Sequence, residues 1–212
     1  MKITVFGATG GIGGHVVRQA LEAGHKVTAV VRTSSAFDLE HSSLEVFRVP
    51  GLGAAEPLRE AVDGSEAVIS GVGARGRKDG PVASESTRSI LAALSAVGVR
   101  RFVAVSAAPI GPVPADESFL NRRVVYPMIN AFAADVYADL RLMEADIMSS
   151  SAAWTIVRPP KLTNKALTGT YRTVVGGTVT RGYLISRADV AHLMLAVLDD
   201  PATINQPVGV AN

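Results

Sequence analysis

A run of seven residues, Gly7-Ala8-Thr9-Gly10-Gly11-Ile12-Gly13, constrains the fold more than any other segment of the chain. It follows a short apolar run rich in β-branched residues, Ile3 to Phe6, and opens a stretch of helical period, Gly11 to Ala23. A strand that turns sharply into a helix through glycines at positions 7, 10 and 13 requires backbone approaches that a Cβ forbids. The same glycines leave the first helical amides open at the positive end of the helix dipole. Placed between strand and helix in a βαβ unit of about 30 residues, this loop is the fingerprint of a dinucleotide pyrophosphate site. Gly7, Ala8, Thr9, Gly10, Gly11, Ile12 and Gly13 are therefore expected to cradle the phosphates, with the Thr9 hydroxyl as a further donor. A tight turn without a ligand is the alternative.

The rest of the chain repeats the strand-then-helix pattern. Val27 to Val31, Leu44 to Val49, Ala67 to Val72, Phe102 to Ser106 and Trp154 to Val157 read as further strands. Ala54 to Val62, Val82 to Val97, a long apolar stretch from Ser118 to Ser150, and Arg187 to Leu198 read as helices. Near-continuous apolar strands joined by helical crossovers imply an α/β fold, a doubly wound parallel sheet covered on both faces. Leu167 to Val179 is rich in Thr, Val and Gly, and is expected to form a small C-terminal hairpin insertion turning at Gly176-Gly177 over the substrate cleft. A hairpin that closes the sheet edge is the other reading. At 212 residues, 48% of them apolar, the chain is expected to be one Rossmann domain, 1–212, its cleft formed by about 107–135 and 159–185.

Composition removes several classes. A net charge of +2 is too small for nucleic-acid wrapping or membrane coating, so neither partner is expected. Zero cysteines exclude disulfides, thiolate metal sites and a cysteine nucleophile. The four histidines, His15, His25, His41 and His192, share no i,i+4 spacing, so no metal is expected. No apolar run approaches a membrane span, and Met1-Lys2 leads directly into the first strand without a signal-peptide core. A cytoplasmic protein, monomeric or weakly dimeric, is expected.

The end of the second strand distinguishes nicotinamide cofactors, because an acid there binds the ribose 2′-hydroxyl and a base accommodates a 2′-phosphate. The chain reads Val30-Val31-Arg32-Thr33-Ser34-Ser35, with no acid before Asp38. Arg32 offers a guanidinium fork and a planar face for adenine, so NADP(H) is expected over NAD(H). After the fourth strand, the small residues of Ser70-Gly71-Val72-Gly73-Ala74-Arg75 allow close approach to the cofactor. Arg75 is the best-placed charge there, with Arg77 and Lys78 on the same loop. A solvated loop is the competing reading.

Taken together, the glycine loop, the Val-Arg ending the second strand, Phe102-Val103-Ala104-Val105-Ser106 and Trp154-Thr155-Ile156-Val157-Arg158-Pro159-Pro160 resemble the atypical short-chain dehydrogenase/reductases. Leu167-Thr168-Gly169-Thr170-Tyr171 and Ile185-Ser186-Arg187-Ala188-Asp189-Val190-Ala191 are similar to the small NAD(P)H-binding, NmrA-like branch, which includes flavin and biliverdin reductases. The resemblance implies that Gly7, Thr9, Gly10, Ile12 and Arg32 line the adenosine and phosphate end, and Gly73, Ala74 and Arg75 the middle. It places Ser106, Ala107, Pro159, Pro160 and Lys161 around the nicotinamide. Two departures stand out. Pro50-Gly51-Leu52 replaces the usual Gly-Asp after the third strand, so the acidic contact to adenine is missing. The Tyr-x-x-x-Lys of better-known members becomes Tyr137-Ala138-Asp139-Leu140-Arg141, one residue out of register.

Tyr137 beside Arg141 is therefore either a proton donor or an ordinary helix-surface pair, and Tyr126 is a weaker candidate. A site that positions two rings without a strong acid suits a flavin, quinone or linear tetrapyrrole, whose conjugation spreads the arriving negative charge. The expectation is an NADPH-dependent reductase of a small conjugated acceptor. Ser106 orients that acceptor, and Lys161 stabilises its charge or closes over the cofactor phosphates. The rivals are a non-catalytic NADP(H)-binding redox sensor and an isomerase or epimerase of the extended group, which expects a Tyr-Lys pair and a larger C-terminal domain.

Overall fold

The computed structural model describes residues 1–73, 80–114, 116–117, 123 and 133–212. Its elements run β1 (Lys2–Phe6), α1 (Gly11–Glu22), β2 (Lys26–Arg32), β3 (Leu44–Val49), α2 (Glu56–Val62), β4 (Ala67–Ser70), α3 (Val82–Val97) and β5 (Arg101–Val105). Then come α4 (Ala134–Ser149), β6 (Ala153–Arg158), β7 (Lys161–Thr163), β8 (Arg172–Val175), β9 (Leu184–Ser186), α5 (Arg187–Ala196) and β10 (Gln206–Ala211). The expected 118–150 helix is represented by α4; residues 118–122 and 124–132 lie outside the described residues.

Eight strands form one sheet in the order β3-β2-β1-β4-β5-β6-β10-β8, parallel throughout except for β8. Side chains alternate across it and feed two cores. Ile3 and Val5 of β1, Ala29 and Val31 of β2 and Val103 of β5 pack with Val16, Val17 and Ala20 of α1 and Val190 and Met194 of α5. On the other face Phe6, Val30, Val68, Phe102 and Ile156 meet Leu58 of α2, Ile90 and Leu94 of α3, and Met143 and Ile147 of α4. Both faces are thus buried, which is what keeps a parallel sheet stable. No helix among the described residues is long and apolar enough to cross a membrane.

The order reverses between β1 and β4, so the chain leaves these neighbouring strands in opposite directions. A crevice opens beyond their carboxyl ends, where open α/β sheets bind ligands. The hairpin expected over the cleft is corrected: segment 167–179 supplies a single strand, β8, whose antiparallel partner is β10, with Val175 opposite Val208 and Thr173 opposite Val210. Gly176, at φ +75, does turn the chain, and its N–H donates to Pro207 O at 2.7 Å. The residues that follow lead instead to β9, which pairs parallel with β7 as a second two-stranded sheet. An unpaired edge of a large sheet offers a longer ladder than an isolated hairpin, so β8 closes that edge.

Candidate dinucleotide site

At the carboxyl end of β1, three glycines bring three backbones together. Gly7 has φ +75, and a Cβ there would stand 2.8 Å from the Gly71 carbonyl carbon. A Cβ on Gly13 would stand 2.6 Å from the Gly7 carbonyl carbon and closer still to its oxygen, and one on Gly71 would stand 3.1 Å from Gly13 N. The end of β1, the start of α1 and the exit from β4 therefore fit only without side chains. Gly71 follows β4, and nothing in its local sequence marks it as part of the cradle. Its meeting with Gly7 and Gly13 depends on β1 and β4 being neighbours, which composition does not reveal.

The close packing exposes the amino end of α1 to the crevice. Gly10 is its N-cap and brings no capping side chain, and the first turn carries no acid. Gly10 N donates back to Gly7 O at 2.8 Å, fixing the turn. The longer helices elsewhere differ. The Asp139 carboxylate of α4 accepts from Ala83 N at 2.8 Å and Ser84 N at 3.0 Å, capping α3, and the Ser186 hydroxyl accepts from Asp189 N at 2.9 Å, capping α5. Helix α4 carries Asp135 in its first turn. At α1 no capping side chain or first-turn acid faces the helix dipole, and a helix start of this kind favours an anion.

Arg32 ends β2 on the surface, where the main chain turns back through a Ser35 N to Arg32 O hydrogen bond of 2.8 Å. Arg48, on the adjacent β3, donates from Nη1 to Ser35 O at 3.1 Å, and Thr33 Oγ1 donates to Val49 O at 3.1 Å. The loop that presents Ser34 and Ser35 beside Arg32 is thus pinned from β3. Gly73 is exposed with open space where a Cβ would stand. Ala74, Arg75, Arg77 and Lys78 lie outside the described residues, as does Tyr126.

Beyond β5 and β6 the structure brings Ser106, Ala107, Pro159 and Pro160 together. Ser106 N donates to Val157 O and Ala108 N to Pro159 O, both at 2.8 Å. The Ser106 hydroxyl is buried and, among the described residues, has no hydrogen-bond partner. A buried orphan hydroxyl is costly, and it is satisfied if a ligand polar group reaches it. Lys161 follows as the exposed first residue of β7. The turn beside this group is braced by a buried ion pair that sequence reading did not single out. Arg158 Nε and Nη2 donate to Glu144 Oε1 and Oε2 at 2.9 and 2.5 Å. Its Nη1 lies 3.2 Å from where a Gly111 Cβ would stand. Residues 116–117 dock on the far segment through Thr180 Oγ1 to Asp116 Oδ1 (2.8 Å) and Tyr183 Oη to Glu117 Oε1 (3.4 Å).

Tyr137 is half-buried against the second core, and burial pushes its phenol pKa up. That direction is opposite to the one a tyrosine activated by a neighbouring cation takes. Arg141, one turn along, is exposed. Behind the site Asp189 is buried. Burial raises its carboxyl pKa, but hydrogen bonds from Ser186, from Thr168 and Gly169 N–H and from the Thr168 hydroxyl outweigh it, and the net direction is down. Tyr171 Oη and His192 Nδ1 lie 2.6 Å apart; burial, then the charge of Asp189, pushes that phenol up to about 12. No cluster of His, Asp or Glu among the described residues is arranged to hold a metal. Two surface cavities of about 600 and 380 Å³ are lined by residues preceding β5 and β6, including Arg100, Ser150 and Ala152, at the end of the sheet away from the crevice.

Comparison with known proteins agrees with this geometry. The model of the NAD(P)H-binding family matches residues 7–201. A chloroplastic protein of Arabidopsis thaliana is 32% identical over 206 residues, spanning 93% of this chain and 71% of that protein. A phenylcoumaran benzylic ether reductase of Pinus taeda is 28% identical, spanning 97% of this chain and 67% of its own length. Among solved structures, a Veillonella parvula short-chain dehydrogenase/reductase in complex with NADP superposes with a TM-score of 0.82 at 20% identity, covering 100% of this chain and 94% of that one. A Lactococcus lactis oxidoreductase gives 0.83 at 17%, covering 100% and 91%. These two share the fold.

Proposed function

The chain belongs to the NAD(P)H-binding family, as an oxidoreductase of the atypical short-chain dehydrogenase/reductase type, and on that premise we propose that it passes a hydride from NADPH to a small conjugated acceptor. The observation that carries the reading is the pairing of an α1 amino end without a capping side chain with a buried Ser106 hydroxyl that has no partner among the described residues, both beyond the carboxyl ends of strands of one sheet. The first suits a pyrophosphate and the second a polar group on the nicotinamide or the acceptor.

Each residue has a task. The amides opening α1 hold the phosphates, with Gly7, Gly13 and Gly71 keeping the backbone close enough. Arg32 supports NADPH over NADH by pairing the 2′-phosphate, with Ser34 and Ser35 as further donors. When bound, the reduced nicotinamide supplies the hydride. Ala107, Pro159 and Pro160 wall its ring and exclude water, and the Ser106 Oγ orients the acceptor by hydrogen bonding. Lys161 stabilises the negative charge on the reduced acceptor. Because Arg141 stands where a Tyr-x-x-x-Lys pair would put its lysine, the acceptor is one that tolerates charge before solvent protonates it: a flavin, a quinone or a linear tetrapyrrole. The reductase named among the relatives supports reduction, and the acceptor class rests on the missing Tyr-Lys pair.

The test mixes the full chain with NADPH and FMN, riboflavin, menadione or biliverdin, and follows the nicotinamide absorbance. Turnover with at least one acceptor is expected. Ser106→Ala and Lys161→Ala are each expected to lower it by roughly tenfold, with NADPH affinity changed little. Tight NADPH binding without oxidation across the panel would replace the reductase reading with that of a redox-sensing module.

A further inference from the structure

Glycine 11 opens α1, and the space a side chain would occupy there is filled from another helix. A Cβ on Gly11 would stand 2.6 Å from Arg187 Cδ and 2.8 Å from its Nε, the nearest atoms among the described residues outside the adjoining backbone of α1. The Arg187 side chain therefore lies across the first turn of α1, beside the amides that face the crevice. Its backbone is held firmly at the start of α5. Ser186 and Asp189 cap that helix, and Gln19 Nε2 of α1 donates to Ala188 O at 2.9 Å. The guanidinium itself is lightly held. Nη1 donates to the neutral Asn164 Oδ1 at 2.6 Å, and no carboxylate among the described residues is in ion-pair contact with it. One of its five donors is used, and the residue is half-exposed.

A structural filler for the Gly11 gap needs only the aliphatic stem. An arginine there adds a fork of donors at the one helix start in this site that lacks an anion of its own. We propose that Arg187 is a pyrophosphate-binding residue, pairing phosphate oxygens from the α5 side while the α1 amides bind them from below. Asn164 holds the guanidinium in place before the nucleotide arrives. The proposal rests on the dinucleotide reading of the crevice and adds a division of labour to it. Arg32 discriminates the 2′-phosphate, whereas Arg187 acts on the diphosphate common to NADPH and NADH.

Calorimetric titration of NADPH and NADH into the full chain tests this. Arg187→Met keeps a stem against Gly11 while removing the charge, and Arg187→Lys keeps charge without the fork. Arg187→Met is expected to weaken both nucleotides by the same factor, roughly tenfold or more, with the ligand-free melting temperature unchanged. Arg187→Lys is expected to recover part of the loss, and the wild-type affinity is expected to fall more steeply with salt than that of Arg187→Met. Wild-type affinity for both nucleotides in Arg187→Met overturns the proposal, as does a loss confined to NADPH. A wild-type chain that binds neither nucleotide overturns the dinucleotide reading and this proposal with it, a result distinct from failure of the variant alone. Should Arg187→Met melt early, Asn164→Ala provides the second arm: a smaller parallel loss for both nucleotides supports the assignment, and none opposes it.

Discussion

Substituting Gly13 with alanine puts the cradle under a defined strain. The new Cβ would stand 2.6 Å from the Gly7 carbonyl carbon, with Ala8 N at 3.1 Å and the Gly7 oxygen nearer than either. Carbon atoms pack best at about 3.5–4.0 Å, so the start of α1 and the β1 exit must separate by about 1 Å. All the atoms involved are backbone, and no rotamer relieves the contact. Overpacking of this kind costs about 1–3 kcal/mol. For a chain of this size that corresponds to a fall in melting temperature of about 2–12 °C. The displaced amides also lose their aim, so NADPH affinity is expected to fall by roughly tenfold. Gly11→Ala is the control for stability, because the nearest atoms its Cβ meets among the described residues, outside the adjoining backbone, are the Cδ, Nε and Cζ of Arg187, a side chain that can move. Its stability is expected to stay within about 1 kcal/mol of wild type, helped by the helix propensity of alanine. Circular dichroism melts of the ligand-free variants, followed by titration with NADPH, measure both effects. A Gly13→Ala chain as stable as wild type, or less destabilised than Gly11→Ala, would refute the argument that backbone contact shapes the loop.

Three further outcomes are expected. Arg32→Ala should weaken NADPH by about 10- to 150-fold, the loss of a charge-assisted contact of about 1.5–3 kcal/mol, and NADH far less, by its adenine stacking alone; equal losses in parallel titrations would remove Arg32 from the 2′-phosphate. Asp189 has a folded pKa below its ordinary value, so its carboxylate contributes stability above about pH 3.9, and that contribution is lost as pH falls through the folded value. Acid melts of Asp189→Asn should therefore be flatter than wild type below about pH 4, and a matching slope would count against the network. Glu144→Ala strands a buried Arg158 and should cost about 3–5 kcal/mol in urea unfolding, much of it recovered by adding Arg158→Met; a double variant no better than the single would show that the pair is not what braces the Gly111 turn.

Elements governed by local pattern were readable from the chain. β3, Leu44–Val49, and α3, Val82–Val97, fall at the expected bounds because apolar periodicity and flanking breakers suffice there. The glycine loop was legible for a stronger reason: its spacing is a direct record of backbone contact. The last strand, Gln206–Ala211, was missed because Pro207 and Gly209 read as strand breakers. Gly209 faces the backbone of Gly177 and Thr178, so its lack of a side chain serves packing at the sheet edge. β8 was assigned a neighbour in its own segment when its partner lies some thirty residues on, a choice that sheet-edge energetics make and local sequence does not. Ser106 was identified by its place at a strand end, but its unpaired hydroxyl emerges only when Val157 and Pro159 take the neighbouring backbone amides. The position of Arg187 over Gly11 is not legible in the sequence, since it follows from α5 packing on α1.

Calorimetric titration of NADPH into the purified chain at two temperatures tests the central claim most directly. The account predicts saturable binding of one nucleotide per chain, tighter than NADH, at both temperatures. The absence of any saturable signal with either reduced nucleotide at both temperatures would contradict it.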